Sequence, residues 1–168
     1  VIGHEMCGLI AEVGKNVTGY AVGDRVAIAN VIPCGHCQAC LSGRENACLE
    51  RKAIGYEFDG GFEEYILIPE VCIKSGNVVK LPEDVSFAAG ACIEPLACCI
   101  RGLKNTGTGF NDTVLIIGAG PIGLMHLQLS QIAGAKKVIV SELDSGKRKI
   151  AKDLGAEVVV DSANEDLE

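Results

Sequence analysis

The sequence predicts an α/β protein in which a β-rich lobe precedes the first half of a doubly wound parallel sheet. Two patterns predict this fold. Short runs of β-branched residues, separated by glycine, proline and aspartate, fill residues 1 to about 85. From residue 113 onward, strand-like and helix-like segments alternate, and the rules for crossover connections turn such a βαβαβ run into parallel strands covered by helices.

The β-rich lobe is predicted to contain four short strands followed by one helix. The strands are residues 9–13, 25–28, 65–68 and 78–81. An alanine-rich segment predicts a single helix from Ser86, the expected N-cap, through Leu103. Residues 104–111 are the expected linker, so we divide the chain into domains 1–105 and 106–168.

The second part is predicted to alternate strictly between strand and helix. The strands are residues 113–117, 137–141 and 158–160, and the helices are residues 122–133 and 145–154. Because only three strands are present, we expect half of a doubly wound sheet.

Charge and composition narrow the class of partner. The net charge of −7 and the absence of a lysine and arginine run argue against nucleic acid, and no apolar stretch is long enough to span a bilayer. Four of the nine cysteines crowd into one short window, which favours a reducing compartment, so we expect a cytoplasmic protein. The chain begins with valine inside an apparent motif, and we interpret it as a piece of a longer protein.

Four cysteines follow the spacing Cys-x2-Cys-x2-Cys-x7-Cys at Cys34, Cys37, Cys40 and Cys48. Four thiolates complete the tetrahedral shell of one zinc ion and leave no open position, so we predict a structural zinc. Two disulfides, or inert buried thiols, are the alternative. His36 lies within the loop and is a rival ligand, although we interpret it as an exposed side chain or one that supports a ligand.

A glycine-rich turn, Gly118-Ala-Gly120-Pro-Ile-Gly123, follows a predicted strand and opens a predicted helix. In this context Gly118 makes the turn, Gly120 lets a pyrophosphate approach the backbone, and Gly123 lets the helix pack closely on the strand. The segment therefore predicts a dinucleotide site, with a purely structural turn as the alternative.

An acid at the end of the next predicted strand, Glu142, lies about 20 residues beyond the glycines, where it can accept both hydroxyls of the adenosine ribose. A carboxylate there repels a 2′-phosphate, which favours NAD over NADP. Lys147 is a further candidate cofactor contact, and together with Ser141 and Arg148 it weighs toward NADP. Asp144 is the rival acid, but we expect it to cap the following helix.

The start of the chain carries the motif Gly-His-Glu-x2-Gly-x5-Gly-x2-Val, from Gly3 to Val17, 30 residues ahead of Cys34. In this motif, in the cysteine loop and in the glycine turn, the chain resembles the zinc-containing medium-chain alcohol dehydrogenase family. The resemblance implies a GroES-like β-barrel catalytic domain followed by a Rossmann domain, and it implies that Ile122 supports the nicotinamide.

The resemblance also implies a second, catalytic zinc, held by His4 and by a cysteine from a preceding segment that is not in this sequence. The segment Cys92-Ile-Glu94-Pro-Leu is similar to the polyol and threonine dehydrogenase branch. There Glu94 is a ligand or holds the zinc-bound water, and Glu5 is an alternative ligand or anchor. Cys92 is a competing ligand. The alternative role for Glu94 is a carboxylate at the start of a helix that interacts with the helix dipole.

The other thiols lie among apolar neighbours in the sequence and are expected in the core. They are Cys7, Cys72, Cys98 and Cys99.

The expected function is hydride transfer between a secondary alcohol, polyol-like or threonine-like, and NAD. In the complete protein, a homo-oligomer, dimer or tetramer, is expected, whereas the 168 residues alone are expected to be inactive. A simple primary or secondary alcohol dehydrogenase is the alternative within the same class. A sensor of redox state that binds zinc and dinucleotide without catalysis is the alternative of another class.

Overall fold

The computed structural model describes residues 1–165. The chain divides into two compact units, Val1–Glu94 and a second unit that begins at Pro95. Each unit has its own cluster of buried apolar side chains, centred on Ile54 and Cys72 in the first and on Leu127 and Val140 in the second. The predicted boundary between domains 1–105 and 106–168 stays a prediction.

The first unit is built on two small antiparallel sheets. Strands β1 (Cys7–Leu9), β2 (Arg25–Ile28) and β5 (Val78–Lys80) form one sheet in the order β1-β2-β5, and β3 (Val31–Ile32) pairs with β4 (Lys52–Ala53) in the other. Short helices α1 (Gln38–Leu41), α2 (Glu70–Lys74) and α3 (Phe87–Ala91) and a 3₁₀ turn (Glu45–Ala47) connect them.

Two of the four predicted strands in this unit are wrong, one in its bounds and one in its existence. The first strand is Cys7–Leu9, not residues 9–13, because the Ile10 amide and carbonyl already bond across to Asp24 and Gly23 at the turn. Residues 65–68 form no strand. Ile66 and Ile68 pack on the core as alternation predicts, but no described strand pairs with their backbone.

The helix predicted over residues 86–103 is interrupted at Cys92. Ser86 is the N-cap, as expected, and its side chain accepts the Ala89 amide at 3.1 Å. A second helix, α4 (Ile93–Thr106), then starts, and it extends into the predicted linker. Pro95 explains the interruption, because it has no amide hydrogen to donate to the carbonyl four residues earlier and its ring crowds that carbonyl.

The second unit is the predicted parallel sheet. Its elements are β6 (Thr113–Ile117), α5 (Pro121–Ile132), β7 (Lys137–Ser141), α6 (Ser145–Asp153) and β8 (Val158–Val160). The order is β6-β7-β8 and both pairings are parallel, so all three predicted strands are confirmed with their bounds. The register places Ile117 beside Ser141 and Ser141 beside Val160, so the three strands end level with one another.

A main-chain ladder holds the segment that carries His4. The amides of Gly60, Gly61 and Phe62 donate to the carbonyls of Val1, Gly3 and Ile2 at 2.9–3.1 Å. The approach is so close that a Cβ on Gly60 would lie 2.2 Å from the Gly3 carbonyl oxygen. Only glycine fits at that point, and the ladder fixes the backbone next to His4 without using any side chain.

Asn77 joins strands of the first unit from a buried position. Its side-chain amide, in a residue 4% exposed, donates to the carbonyls of Ala29 and Val31 at 2.7 Å each. These two carbonyls depend on Asn77 because they flank the irregular step between β2 and β3.

We predict that Asn77→Ala lowers the free energy of unfolding by about 2 kcal/mol, because it removes the donor to two carbonyls. Chemical denaturation followed by circular dichroism measures the change. Asn16→Ala, in an exposed turn, is the matched control and should change stability by less than about 0.5 kcal/mol. Equal effects of the two substitutions would contradict the assigned role of Asn77.

Candidate functional site

The four cysteine thiols of the first unit converge on one point. The Sγ atoms of Cys34, Cys37, Cys40 and Cys48 all lie within 4.8 Å of one another. Cys40 Sγ is 3.5 Å from Cys37 Sγ and 3.9 Å from Cys34 Sγ. A tetrahedral zinc with bonds of about 2.3 Å holds its sulfurs about 3.8 Å apart, so the thiols fit this ion.

Backbone hydrogen bonds and burial act in opposite directions on the charge of these thiols. The backbone amide of Cys37 donates to Cys34 Sγ at 3.4 Å, and that of Cys34 donates to Cys48 Sγ at 3.5 Å, which stabilises charged sulfur. Burial, together with hydrogen bonds among the neighbouring thiols, raises the pKa of Cys40 to about 12. Zinc binding must therefore displace a proton from this thiol, so affinity falls as the pH falls.

His36 lies at the outside of the cysteine cluster. Its Nδ1 lies 2.9 Å from the Cys34 carbonyl oxygen, and its Nε2 lies 3.7 Å from a Glu50 carboxylate oxygen. The side chain is exposed, as expected.

Of the thiols expected in the core, Cys72 and Cys99 are buried and Cys7 is half-buried. Cys98 is exposed, so the prediction that it lies in the core is wrong. Cys98 lies on the amphipathic helix α4 and not on its buried side.

A second cluster of metal-binding groups joins the two ends of the first unit. His4, Glu5 and Glu94 each bring one ligand atom within 4.8 Å of the others. Three ligands of the imidazole and carboxylate type suit zinc and leave room for another group. The competing thiol, Cys92, is exposed and lies outside this cluster.

Tyr56 lies beside His4 of this cluster, and it belongs to none of the motifs found in the sequence. Its ring centroid is 5.6 Å from that of His4, with the planes tilted by 42°, although the tyrosine is largely exposed. Gly55 positions it with φ +85°, and a Cβ on Gly55 would lie 2.8 Å from the Gly3 carbonyl oxygen. Tyr56 therefore neighbours the imidazole of the candidate metal site.

The glycine turn of the second unit has three different steric requirements. Gly118 adopts φ +96°, which favours glycine, and its amide donates to the Ser141 carbonyl at 2.8 Å. A Cβ on Gly123 would lie 2.0 Å from the Gly118 carbonyl oxygen, so the helix packs on the turn with no room for a side chain. A Cβ on Gly120 would meet no atom within 4 Å.

The space at Gly120 belongs to an open cavity of about 590 Å³. The turn contributes Gly118, Gly120 and Ile122 to its lining, and α5 contributes His126 and Ser130. The free space over Gly120, at the N-terminus of a 12-residue helix, suits an anionic pyrophosphate.

Glu142 reaches back to the turn from the end of β7. One carboxylate oxygen accepts the Ala119 amide at 2.7 Å and the other accepts the Asp144 amide at 2.9 Å. These two bonds, with Asp144 first, lower the pKa of Glu142, so the side chain is an anion at neutral pH. Asp144 is the N-cap of α6, as expected, and accepts the Lys147 amide at 2.8 Å. The Lys147 side chain is exposed.

Comparison with known proteins places this geometry in a family. Residues 1–83 match the alcohol dehydrogenase GroES-like domain, and residues 121–168 match the zinc-binding dehydrogenase domain. The chain belongs to the zinc-containing alcohol dehydrogenase family. Its first unit is the GroES-like domain and its second is the start of the Rossmann sheet. No helix among residues 1–165 is long and apolar enough to cross a membrane.

Individual relatives match almost the whole chain. L-threonine 3-dehydrogenase of Rhizobium rhizogenes is 36% identical over 170 residues, which is 99% of this chain and 47% of the relative. A protein of Sinorhizobium meliloti described as a zinc-binding dehydrogenase, solved with NADP, is 40% identical with a TM-score of 0.91, over 99% of this chain and 47% of its own. Galactitol-1-phosphate dehydrogenase of Escherichia coli is 36% identical with a TM-score of 0.87. The match covers 98% of this chain and 46% of the galactitol-1-phosphate dehydrogenase chain. The chain thus spans about half the length of these dehydrogenases.

We predict that Cys37→Ser removes one equivalent of zinc per chain and lowers the thermal midpoint of the first unit, because three thiols hold the ion less tightly than four. Elemental analysis and thermal denaturation measure the two effects. Cys98→Ser, an exposed thiol outside both clusters, is the control and should keep the wild-type zinc content. Full zinc content in the Cys37 variant would contradict the site.

Proposed function

We propose that the protein containing this chain is a zinc-dependent oxidoreductase that transfers hydride between a secondary alcohol and NAD. The observation that carries the proposal is the cluster of His4, Glu5 and Glu94, in a chain that also has the glycine turn and Glu142. A metal site with an incomplete protein shell and a dinucleotide site are the two components that this reaction needs.

His4 and Glu94 are the proposed ligands of the catalytic zinc, and Glu5 is an alternative ligand or anchor. When bound, zinc supplies the positive charge that favours loss of the alcohol proton. The main-chain ladder at Gly60 and Gly61 holds the His4 backbone, so the imidazole is positioned before metal arrives. Tyr56, beside His4, covers one flank of the space that a substrate must enter.

The glycine turn and Glu142 are proposed to bind the dinucleotide. Gly120 leaves room for the pyrophosphate, and Ile122, which lines the cavity, supports the nicotinamide. Glu142 presents an anionic acceptor that is already oriented by the Ala119 and Asp144 amides, which suits a ribose diol. A carboxylate at this position supports NAD, although a relative was solved with NADP.

The substrate class is proposed from the relatives and from the ligand set. The similar proteins include an L-threonine 3-dehydrogenase and a galactitol-1-phosphate dehydrogenase, both named for hydroxyl-bearing polar substrates. Carboxylates at the metal cluster create a polar environment that suits a second substrate hydroxyl. We therefore propose a polyol-like or threonine-like alcohol.

The cellular setting is proposed to be the cytoplasm, with a homo-oligomer as the working form. Four of the nine cysteines converge on one zinc-type cluster, which supports a reducing compartment.

Zinc counting and initial rates on the complete protein test the proposed function. Two zinc ions per chain, and NADH formation with sorbitol, galactitol 1-phosphate or L-threonine but only slowly with ethanol, would support it. Preference for ethanol would favour a simple alcohol dehydrogenase. One zinc ion per chain with no hydride transfer would favour the non-catalytic redox sensor.

We predict that His4→Ala reduces the zinc content from two ions per chain to one and lowers kcat by at least about 100-fold, because the catalytic ion loses its imidazole. Elemental analysis and NADH absorbance measure these effects. The matched control is His36→Ala, an exposed histidine at the other zinc site, which should retain both ions and most activity. Loss of the same ion in both variants would contradict the assignment.

We predict that alanine weakens NAD binding at one glycine of the turn and lowers the stability of the fold at another. Gly120→Ala should leave the thermal midpoint unchanged but weaken NAD about tenfold or more, because its Cβ enters only the space kept for the pyrophosphate. Gly123→Ala should instead destabilise the fold by about 3 kcal/mol, because its Cβ overlaps a carbonyl oxygen. Calorimetric titration and thermal denaturation separate the effects, and unchanged NAD affinity in Gly120→Ala would contradict the proposed binding mode.

A further inference from the structure

Arg148 is a partly buried cation six residues after Glu142, and its guanidinium bonds to residues that follow two strands. Nη1 donates to the Glu142 carbonyl at 3.0 Å and to the Leu143 carbonyl at 2.6 Å. Nη2 lies 2.8 Å from a carboxylate oxygen of Asp161, and both side chains are only 21% exposed. The guanidinium therefore connects the residues that follow β7 and β8.

Asp161 accepts two hydrogen bonds in addition to its ion pair with Arg148. Its Oδ1 accepts the Ala163 amide at 3.2 Å, and its Oδ2 accepts the side-chain amide of Asn164 at 3.2 Å as well as the guanidinium. The Glu142 amide donates to the Val160 carbonyl at 3.0 Å, next to Asp161 in the chain. Glu142 and Asp161 thus lie in adjacent positions at the same edge of the sheet, with Arg148 paired to the second.

This arrangement bears on the choice between a 2′-hydroxyl and a 2′-phosphate. A nucleotide with a 2′-phosphate brings about two negative charges to the ribose and needs a cation in place of the acid that accepts the hydroxyls. Arginine is the side chain best suited to that task. In this chain the guanidinium of Arg148, which bonds to the Glu142 and Leu143 carbonyls, is neutralised by Asp161, whereas the Lys147 side chain is exposed.

We propose that Asp161 is a positioning residue for cofactor choice, which acts through Arg148 to exclude nucleotides with a 2′-phosphate. The inference rests on the proposed dinucleotide site and adds a residue to it. By pairing with Arg148, Asp161 removes the arginine that would best suit a 2′-phosphate.

The test compares 5′-AMP with 2′,5′-ADP, two probes that differ only in the 2′-phosphate. Isothermal titration calorimetry on the complete protein at low, fixed ionic strength gives the ratio of the two dissociation constants. Wild type is expected to favour 5′-AMP. Asp161→Asn keeps the shape and an acceptor oxygen but leaves Arg148 with an uncompensated charge, and it should strengthen 2′,5′-ADP by about tenfold with little change in 5′-AMP.

The control for global charge is Asp153→Asn. Asp153 is also paired, with Lys149 at 2.8 Å, but it is exposed at the far end of α6. Because both substitutions remove one negative charge from the protein, an equal shift in the two variants would overturn the inference. So would an unchanged ratio in Asp161→Asn.

A second variant keeps the inference testable if Asp161→Asn fails to fold. Arg148→Gln removes the cation, so it should weaken 2′,5′-ADP further while 5′-AMP changes little. A purely structural role would instead weaken both probes equally. Failure of wild type to bind either probe would overturn the proposed dinucleotide site, whereas a wild-type preference for 2′,5′-ADP would overturn this inference alone.

Discussion

The parallel register of β6, β7 and β8 is the constraint on which the second unit depends. Because parallel strands present their carboxyl ends at one edge, and these three end level, the residues that follow them come together there. Those residues are Gly118 in the glycine turn, Glu142, which is the proposed ribose acceptor, and Asp161, which pairs with Arg148. A slip of one position in either pairing would separate them and turn inward-facing side chains outward.

The sequence predicted the parallel sheet far better than the antiparallel lobe, for a physical reason. Each strand of the parallel sheet is a continuous apolar run between helices, so its bounds are marked locally. In the lobe, strands are two to four residues long and their partners are distant in the chain. Residues 65–68 alternate as a strand does, yet pairing, not pattern, decides whether such a segment becomes one.

The candidate sites also differ in how much of each could be predicted from the sequence. The four thiols and the glycine turn are local motifs, so residue spacing alone located them. The approach of His4 to Glu94 joins the two ends of the first unit, and only the family resemblance anticipated it. Tyr56 and the pair of Arg148 with Asp161 belong to no motif, and only the folded chain shows where they lie.

The ladder between residues 60–62 and 1–3 has a consequence for how such a protein can diversify. Every bond in it joins amide to carbonyl, so the backbone next to His4 requires glycine at Gly60, where a Cβ would clash, but makes no use of the exposed side chains nearby. Exposed positions on the adjoining loop, such as Tyr56, are therefore free to be exchanged while the metal ligand stays in place. If His4 binds the proposed catalytic zinc, new substrate preferences can evolve on that loop one replacement at a time while the zinc site is kept.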